Sequence, residues 1–254
     1  MSAADTPVTI ESGFRQMYNL QFADAHKTFA DWGRAHPEDP MGPVGDAAAY
    51  LFTELDRLRV LDSEFFLNDQ KFFGTRPFAD ATLKRSFEAA LSASQPLIAR
   101  NLARNPNDPD AMFADLLRSG LRADYLSFIE KSQWAALRET IAGRTAAEKL
   151  LVLRPDYYDA YVAVGVESYL LSFKAAPVRW LLRAGGARTD KQEGIQKLRL
   201  TAEKGRYLLP FARLLLAVAA LRDKDLPAAR GYLGWLAGEF PLNRLYREEL
   251  AKLR

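Results

Sequence analysis

Along this chain, apolar and small side chains return at alternating steps of three and four, with charged residues between them. The clearest instance is Phe22, Ala25, Phe29 and Trp32, followed by Pro37. The same spacing returns near the C-terminus as Leu226, Ala229, Leu233, Leu236 and Pro241. Three looser copies lie between: Leu91, Ser94, Ile98, Asn101, Pro106; Thr140, Gly143, Ala147, Leu150, Pro155; and Lys191, Gly194, Leu198, Thr201, Arg206. A three/four alternation keeps side chains on one face of a helix. The second position is small in all five copies and the third is apolar, so a neighbouring helix can approach closely there. A proline one turn later ends the helix. The pattern predicts an all-α chain.

The elements follow in order. Val8, Ile10, Phe14, Met17 and Tyr18 give a first helix over 8–20, with Gly13 allowing close packing, and Phe22 to Ala35 forms its partner. Pro37-Glu38-Asp39-Pro40 is a helix stop followed by a start, with Asp39 suited to the cap. Pro106-Asn107-Asp108-Pro109 repeats that grammar, and Pro155-Asp156 repeats part of it. A helix over 43–59 leads into the segment 60–79, whose Phe65, Phe66, Phe72, Phe73 and Phe78 are expected to pack back into the inner groove. A long helix over 80–104, bent at Pro96, precedes helices over 110–127 and 133–153. Tyr157, Tyr158, Tyr161, Val164, Gly165 and Tyr169 open the fourth pair, with Gly165 placed for a close helix contact. An insertion at 173–189 separates that helix from the next, which begins with Asp190-Lys-Gln-Glu193 as a capping box and ends at Gly205. Helices over 210–222 and 226–239 make the fifth pair, and a helix from Leu242 caps an open array. One domain, 1–254, results, with repeats near 6–39, 40–107, 108–156, 157–207 and 208–241 and a cap at 242–254.

Composition narrows the function classes. No run approaches 18 apolar residues, so no spanning helix is expected. The chain has no cysteine, which removes disulfides, thiolate nucleophiles and Cys-ligated metals. The first residues show neither a basic start nor an apolar stretch, so the expectation is a soluble cytoplasmic protein, or a periplasmic one had a leader been removed. The net charge of +3 is unevenly spread. Residues 1–70 carry five Lys/Arg against twelve Asp/Glu, and residues 174–213 carry ten against three.

Candidate chemistry is sparse. His26 and His36 are ten positions apart, whereas a helical metal pair needs three or four. Asp24, Asp31, Glu130, Glu139, Glu148 and Glu203 are scattered as on a solvated helix. No nucleophile elbow, phosphate loop or dinucleotide fingerprint is present. The expectation is no catalytic site, no cofactor and no metal. The tyrosines at 157, 158, 161 and 169 lack interleaved basic residues, so nucleic acid is not expected. The most distinctive surface candidate is Lys174, Arg179, Trp180, Leu181, Leu182, Arg183 and Arg188, a basic tryptophan-bearing composition found at membrane interfaces.

The last two closing positions, Arg206 and Pro241, stand 35 residues apart, near the 34-residue period of a tetratricopeptide repeat. Ala25, Phe29 and Pro37, Ala229, Leu233 and Pro241, and Tyr161, Val164 and Gly165 resemble that family's pattern. Insertions lengthen the other intervals. The chain is also similar to uncharacterised bacterial tetratricopeptide proteins. Gly186, Asp190, Lys191 and Gly194, with Pro210-Phe211-Ala212, resemble a eukaryotic tetratricopeptide family of the mitochondrial outer membrane and inclusion clearance. That family has an aromatic at the place of Ala187 and a glycine at that of Thr189. The resemblance implies a right-handed superhelix of about five helical hairpins that binds a protein or peptide along its inner face. Where relatives of that kind carry a carboxylate clamp, this chain offers Ile10, Phe14, Met112, Leu116, Val162 and Val166, so an apolar or helical guest is expected. The implied function is a non-enzymatic scaffold; the alternative is peripheral attachment to an anionic membrane through 173–189.

Overall fold

The computed structural model describes residues 9–62, 78–172 (170–172 by backbone alone) and 190–253. Among them are eleven α-helices and no strand. They are α1 (Ile10–Tyr18), α2 (Phe22–Ala35), α3 (Met41–Arg57), α4 (Ala81–Arg104), α5 (Pro109–Asp124), α6 (Gln133–Leu153), α7 (Tyr161–Ser172), α8 (Lys191–Lys204), α9 (Leu209–Arg222), α10 (Leu226–Glu239) and α11 (Arg244–Ala251). Each packs against the next in chain order, and α1 also touches α3, as α3 touches α5. None of the described helices is long and apolar enough to cross a membrane.

Side chains that satisfy the first orphan amides set the helix starts. Thr9 accepts from Ser12 N at 3.1 Å in a capping box. Asp80 accepts from Thr82 and Leu83 N at 2.7 and 2.9 Å, and Asp190 from Gln192 and Glu193 N at 2.8 and 3.0 Å. Asp108 caps α5 with Pro109 in its first turn, as the stop-and-start grammar requires. At the earlier copy Pro40 itself occupies the cap position, and Asp39 serves both sides, accepting Met41 N at 2.8 Å and Trp32 Nε1 at 2.8 Å. Pro96 lies inside α4 without ending it.

The repeated positions lie where helices meet. Ala25, Ser94, Gly143, Gly194 and Ala229 are buried, as are Phe29, Ile98, Ala147, Leu198 and Leu233. Trp32 and Phe22 are half-buried, Leu226 is exposed, and the closing Pro37 and Pro241 lie on the surface. At the start of the array Phe29 fills a slot between α1 and α3. A Cβ on Gly13 would stand 2.5 Å from its ring, and one on Gly45 would stand 2.4 Å away. Farther along, α7 and α8 approach backbone to backbone. A Cβ on Gly194 would lie 2.7 Å from Tyr169 N, and one on Gly165 3.0 Å from the Gly194 carbonyl.

The sequence suggests an open array with a solvated cap; the structure instead brings its two ends together. Asn243 Nδ2, buried, donates to the Tyr18 carbonyl at 2.8 Å, and Leu242 N donates to Asn19 Oδ1 at 2.9 Å. Arg15 meets Glu239 at 2.6 Å, Arg244 meets Asp56 at 2.9 Å, Arg59 meets Glu248 at 3.0 Å, and Arg206 pairs with Glu11. Tyr18 packs on Phe240 and Phe14 on Tyr207, with ring centroids 5.7 and 5.4 Å apart. Acidic residues of the first 70 positions are thus neutralised partly by arginines from the far end. Helix α11 packs on α10 and reaches α3 through the Arg244–Asp56 pair.

Candidate functional site

Closing the array leaves a hollow at its centre. The first helix of every pair contributes to its wall: Phe14, Met17 and Tyr18 from α1, Ala48 and Phe52 from α3, Leu116, Leu117, Gly120, Leu121, Ala123 and Asp124 from α5, Val162, Ala163 and Val166 from α7, and Phe211 from α9. Glu139, Thr140 and Gly143 of α6 complete one side, with Asp159 and Leu208 nearby. The hollow is open at its mouth and has a cavity volume of about 90 Å³, several times the space that one water needs. Gly120 helps to make this room, because a Cβ built there meets no atom within 4 Å.

Most of the polar groups in the wall are engaged by the fold. Asp159 accepts backbone N–H bonds from Arg206, Tyr207 and Leu208 at 2.8, 3.1 and 2.7 Å. Burial nonetheless moves its pKa above the ordinary aspartate value, against the lowering effect of those amides. Gly205 permits the arrangement, since a Cβ there would come within 2.9 Å of the Asp159 carboxylate. Thr140 donates to the Ala136 carbonyl at 2.9 Å. Glu139 faces Arg122 at 3.4 Å.

Asp124 is different. Among the described residues no donor bonds to its carboxylate and no cation pairs with it. Asp124 is half-buried and lines the hollow, and desolvation pushes its pKa up to about 7. Burial disfavours the charged form, and here no attraction opposes it. Asp124 also ends α5 at the point where the helix widens. Glu130 N bonds back to the Tyr125 carbonyl at 3.1 Å, closing a π turn over Tyr125–Ile129. Such turns recur at functional sites.

The residues singled out from sequence have varied placements. Lys174, Arg179, Trp180, Leu181, Leu182, Arg183 and Arg188 lie outside the described residues, as do Phe65, Phe66, Phe72 and Phe73. Phe78 is described and exposed. Phe14, Leu116, Val162 and Val166 line the hollow, whereas Ile10 and Met112 do not. His26 bonds to Asp46 at 2.6 Å and packs on Tyr50, while His36 stacks on Trp32, so the two imidazoles have separate surroundings. Among the described residues no group of three or more His, Cys, Asp or Glu is arranged to hold a metal. Glu130 pairs with Lys84 at 2.5 Å and Glu148 with Arg144 at 3.0 Å. Tyr158 and Tyr161 acquire basic neighbours in space, with Lys204 and Lys197 over their rings at 5.0 and 5.2 Å.

Asp124 itself escaped the sequence reading. Its signal was present: three positions after Leu121 and seven after Leu117, it falls on the buried stripe of its own helix, where a carboxylate is out of place. Comparison of the chain with protein-family models, curated proteins and solved structures yields no match.

Proposed function

We propose that this chain is a non-enzymatic binding protein built of tetratricopeptide-type helix pairs, and that it holds an apolar guest in its central hollow. The observation that carries this reading is the wall itself: all five first helices turn apolar side chains toward one cavity, and Gly120 keeps space there that any larger residue would occupy. A well-packed protein interior leaves few voids larger than a water molecule. A void of this size lined by leucine, valine and phenylalanine favours apolar matter over water. Glu139, Thr140 and Asp159 serve the fold, which supports binding rather than turnover. The inner-face location agrees with what the tetratricopeptide resemblance implies, with the guest enclosed rather than laid along an open groove.

Titration of the full chain with an apolar fluorescent dye that brightens on leaving water tests the reading. Saturable binding at one site, abolished by Gly120→Leu in a chain that remains folded, is the expected outcome. Absence of saturable binding, or binding unaltered by Gly120→Leu, would refute it.

A further inference from the structure

We infer that the guest is a small amphipathic amine, an apolar body carrying one protonated nitrogen, and that Asp124 is the residue that receives the nitrogen. This rests on the hollow being the binding site and adds the chemistry of what enters it. The walls are hydrocarbon on five helices, while the polar groups Glu139, Thr140 and Asp159 already have partners within the fold. Asp124 lines the same hollow with no partner among the described residues.

An unpaired carboxylate in such a half-buried place is costly to the folded chain, since nothing offsets the part of its hydration that is lost. The folded protein already bears that cost before any ligand arrives. A guest ammonium therefore gains the attraction of a partly desolvated carboxylate that has already lost some of its water. A neutral guest of the same shape gains less, and an anion is repelled. Among the described residues the neighbouring charged and titratable groups do not supply the missing cation: Arg122 is turned to Glu139, Asp159 is held by three amides, and Tyr18 is a buried phenol whose hydroxyl has no hydrogen-bond partner and whose pKa is raised. Enclosure by helices from every repeat matches a small molecule better than an extended chain, because the wall surrounds the space instead of running past it.

The test uses the full-length protein at pH 8 and three probes of one chain length: n-octylamine, n-octanol and octanoate, each titrated calorimetrically. Octylamine should bind at least tenfold more tightly than octanol, with octanoate weakest. Asp124→Asn, which keeps the shape and removes the charge, should bring the amine within about twofold of the alcohol. Carboxyl NMR of unmutated Asp124 supplies a readout independent of any variant, since saturating octylamine should draw its pKa down. Equal binding of amine and alcohol by the native chain would overturn the amine assignment while leaving the hollow as a binding site. Failure of all three probes would overturn the site itself. Binding of octylamine only after Phe65, Phe66, Phe72 and Phe73 are changed to serine would make the chain's own segment the occupant and also defeat the proposal.

Discussion

Two places in this molecule use a helical glycine where helices converge, to opposite ends. Around Phe29, Gly13 and Gly45 give up their side chains so that one aromatic ring can fill the slot between α1 and α3. At the centre of the array, Gly120 gives up its side chain and nothing takes the space. Glycine in a helix costs about 1 kcal/mol relative to alanine, so both positions give up some helix stability. At the first the return is dense packing, with Phe29 fully buried and edge-on to Phe14 at 5.4 Å. At the second the return is an apolar void beside an unpaired carboxyl, which adds nothing to stability. The contrast separates the part of the chain that holds the fold from the part that we propose receives a guest.

Substitutions sharpen the contrast. The largest effect is expected from Phe29→Ala, which empties the filled slot; large-to-small changes of this kind cost about 3–5 kcal/mol, measurable by denaturant unfolding. A loss below about 1 kcal/mol would mean that the slot collapses around the missing ring and is no organising contact. Next comes Gly194→Ala, where the added methyl meets the backbone of α7 rather than a side chain that can move aside. Overpacking here should cost roughly 2–3 kcal/mol, whereas an unchanged unfolding midpoint would show that α7 and α8 separate freely.

Asp124→Asn should act in the other direction and depend on pH. The folded carboxyl holds its proton up to about pH 7, against 3.8 for an ordinary aspartate. Between those values the unfolded chain releases the proton while the folded chain keeps it, so wild-type stability falls as pH rises and levels off above 7. The variant lacks that fall. It should match wild type near pH 3.5 and exceed it by roughly 1–3 kcal/mol at pH 8. A difference independent of pH would mean that Asp124 is not desolvated. The smallest effect is expected from Gly120→Leu. Better helix propensity and an unobstructed side chain should leave stability within about 1 kcal/mol of wild type or above it. Strong destabilisation would show that Gly120 belongs with Gly13 and Gly45 after all.

Much of the local structure was legible because local chemistry determines it. The bounds of α2, α6 and α10 coincide with the three/four runs Phe22–Ala35, Gln133–Leu153 and Leu226–Glu239. Asp80, Asp108 and Asp190 cap helices because short acceptors ahead of apolar runs have orphan amides to meet. The meeting of the ends was not legible. It depends on pairs such as Asn243 with Tyr18 and Arg244 with Asp56, whose partners lie 225 and 188 positions apart. Nothing in a local pattern chooses between an open and a closed stack of helices. The hollow was half legible: Phe14, Leu116, Val162 and Val166 were placed on the inner face, but the emptiness beside them is a property of three-dimensional packing. The place of Asp124 on the buried stripe was legible from its spacing to Leu117 and Leu121, but its lack of a partner is again a property of three-dimensional packing. The basic segment with Trp180 lies outside the described residues, and its membrane reading stays a separate question for vesicle sedimentation.

Occupation of the hollow by a guest can be read at the wall itself by methyl NMR. Spectra of the full chain labelled at leucine and valine methyls would be recorded during titration with n-octylamine. The expected result is saturable shifts at Leu116, Leu117, Leu121, Val162 and Val166, absent in Gly120→Leu, with the exposed Val152 and Leu153 of α6 unchanged. Shifts confined to Val152 and Leu153, or no saturable shift at any wall methyl, would contradict it.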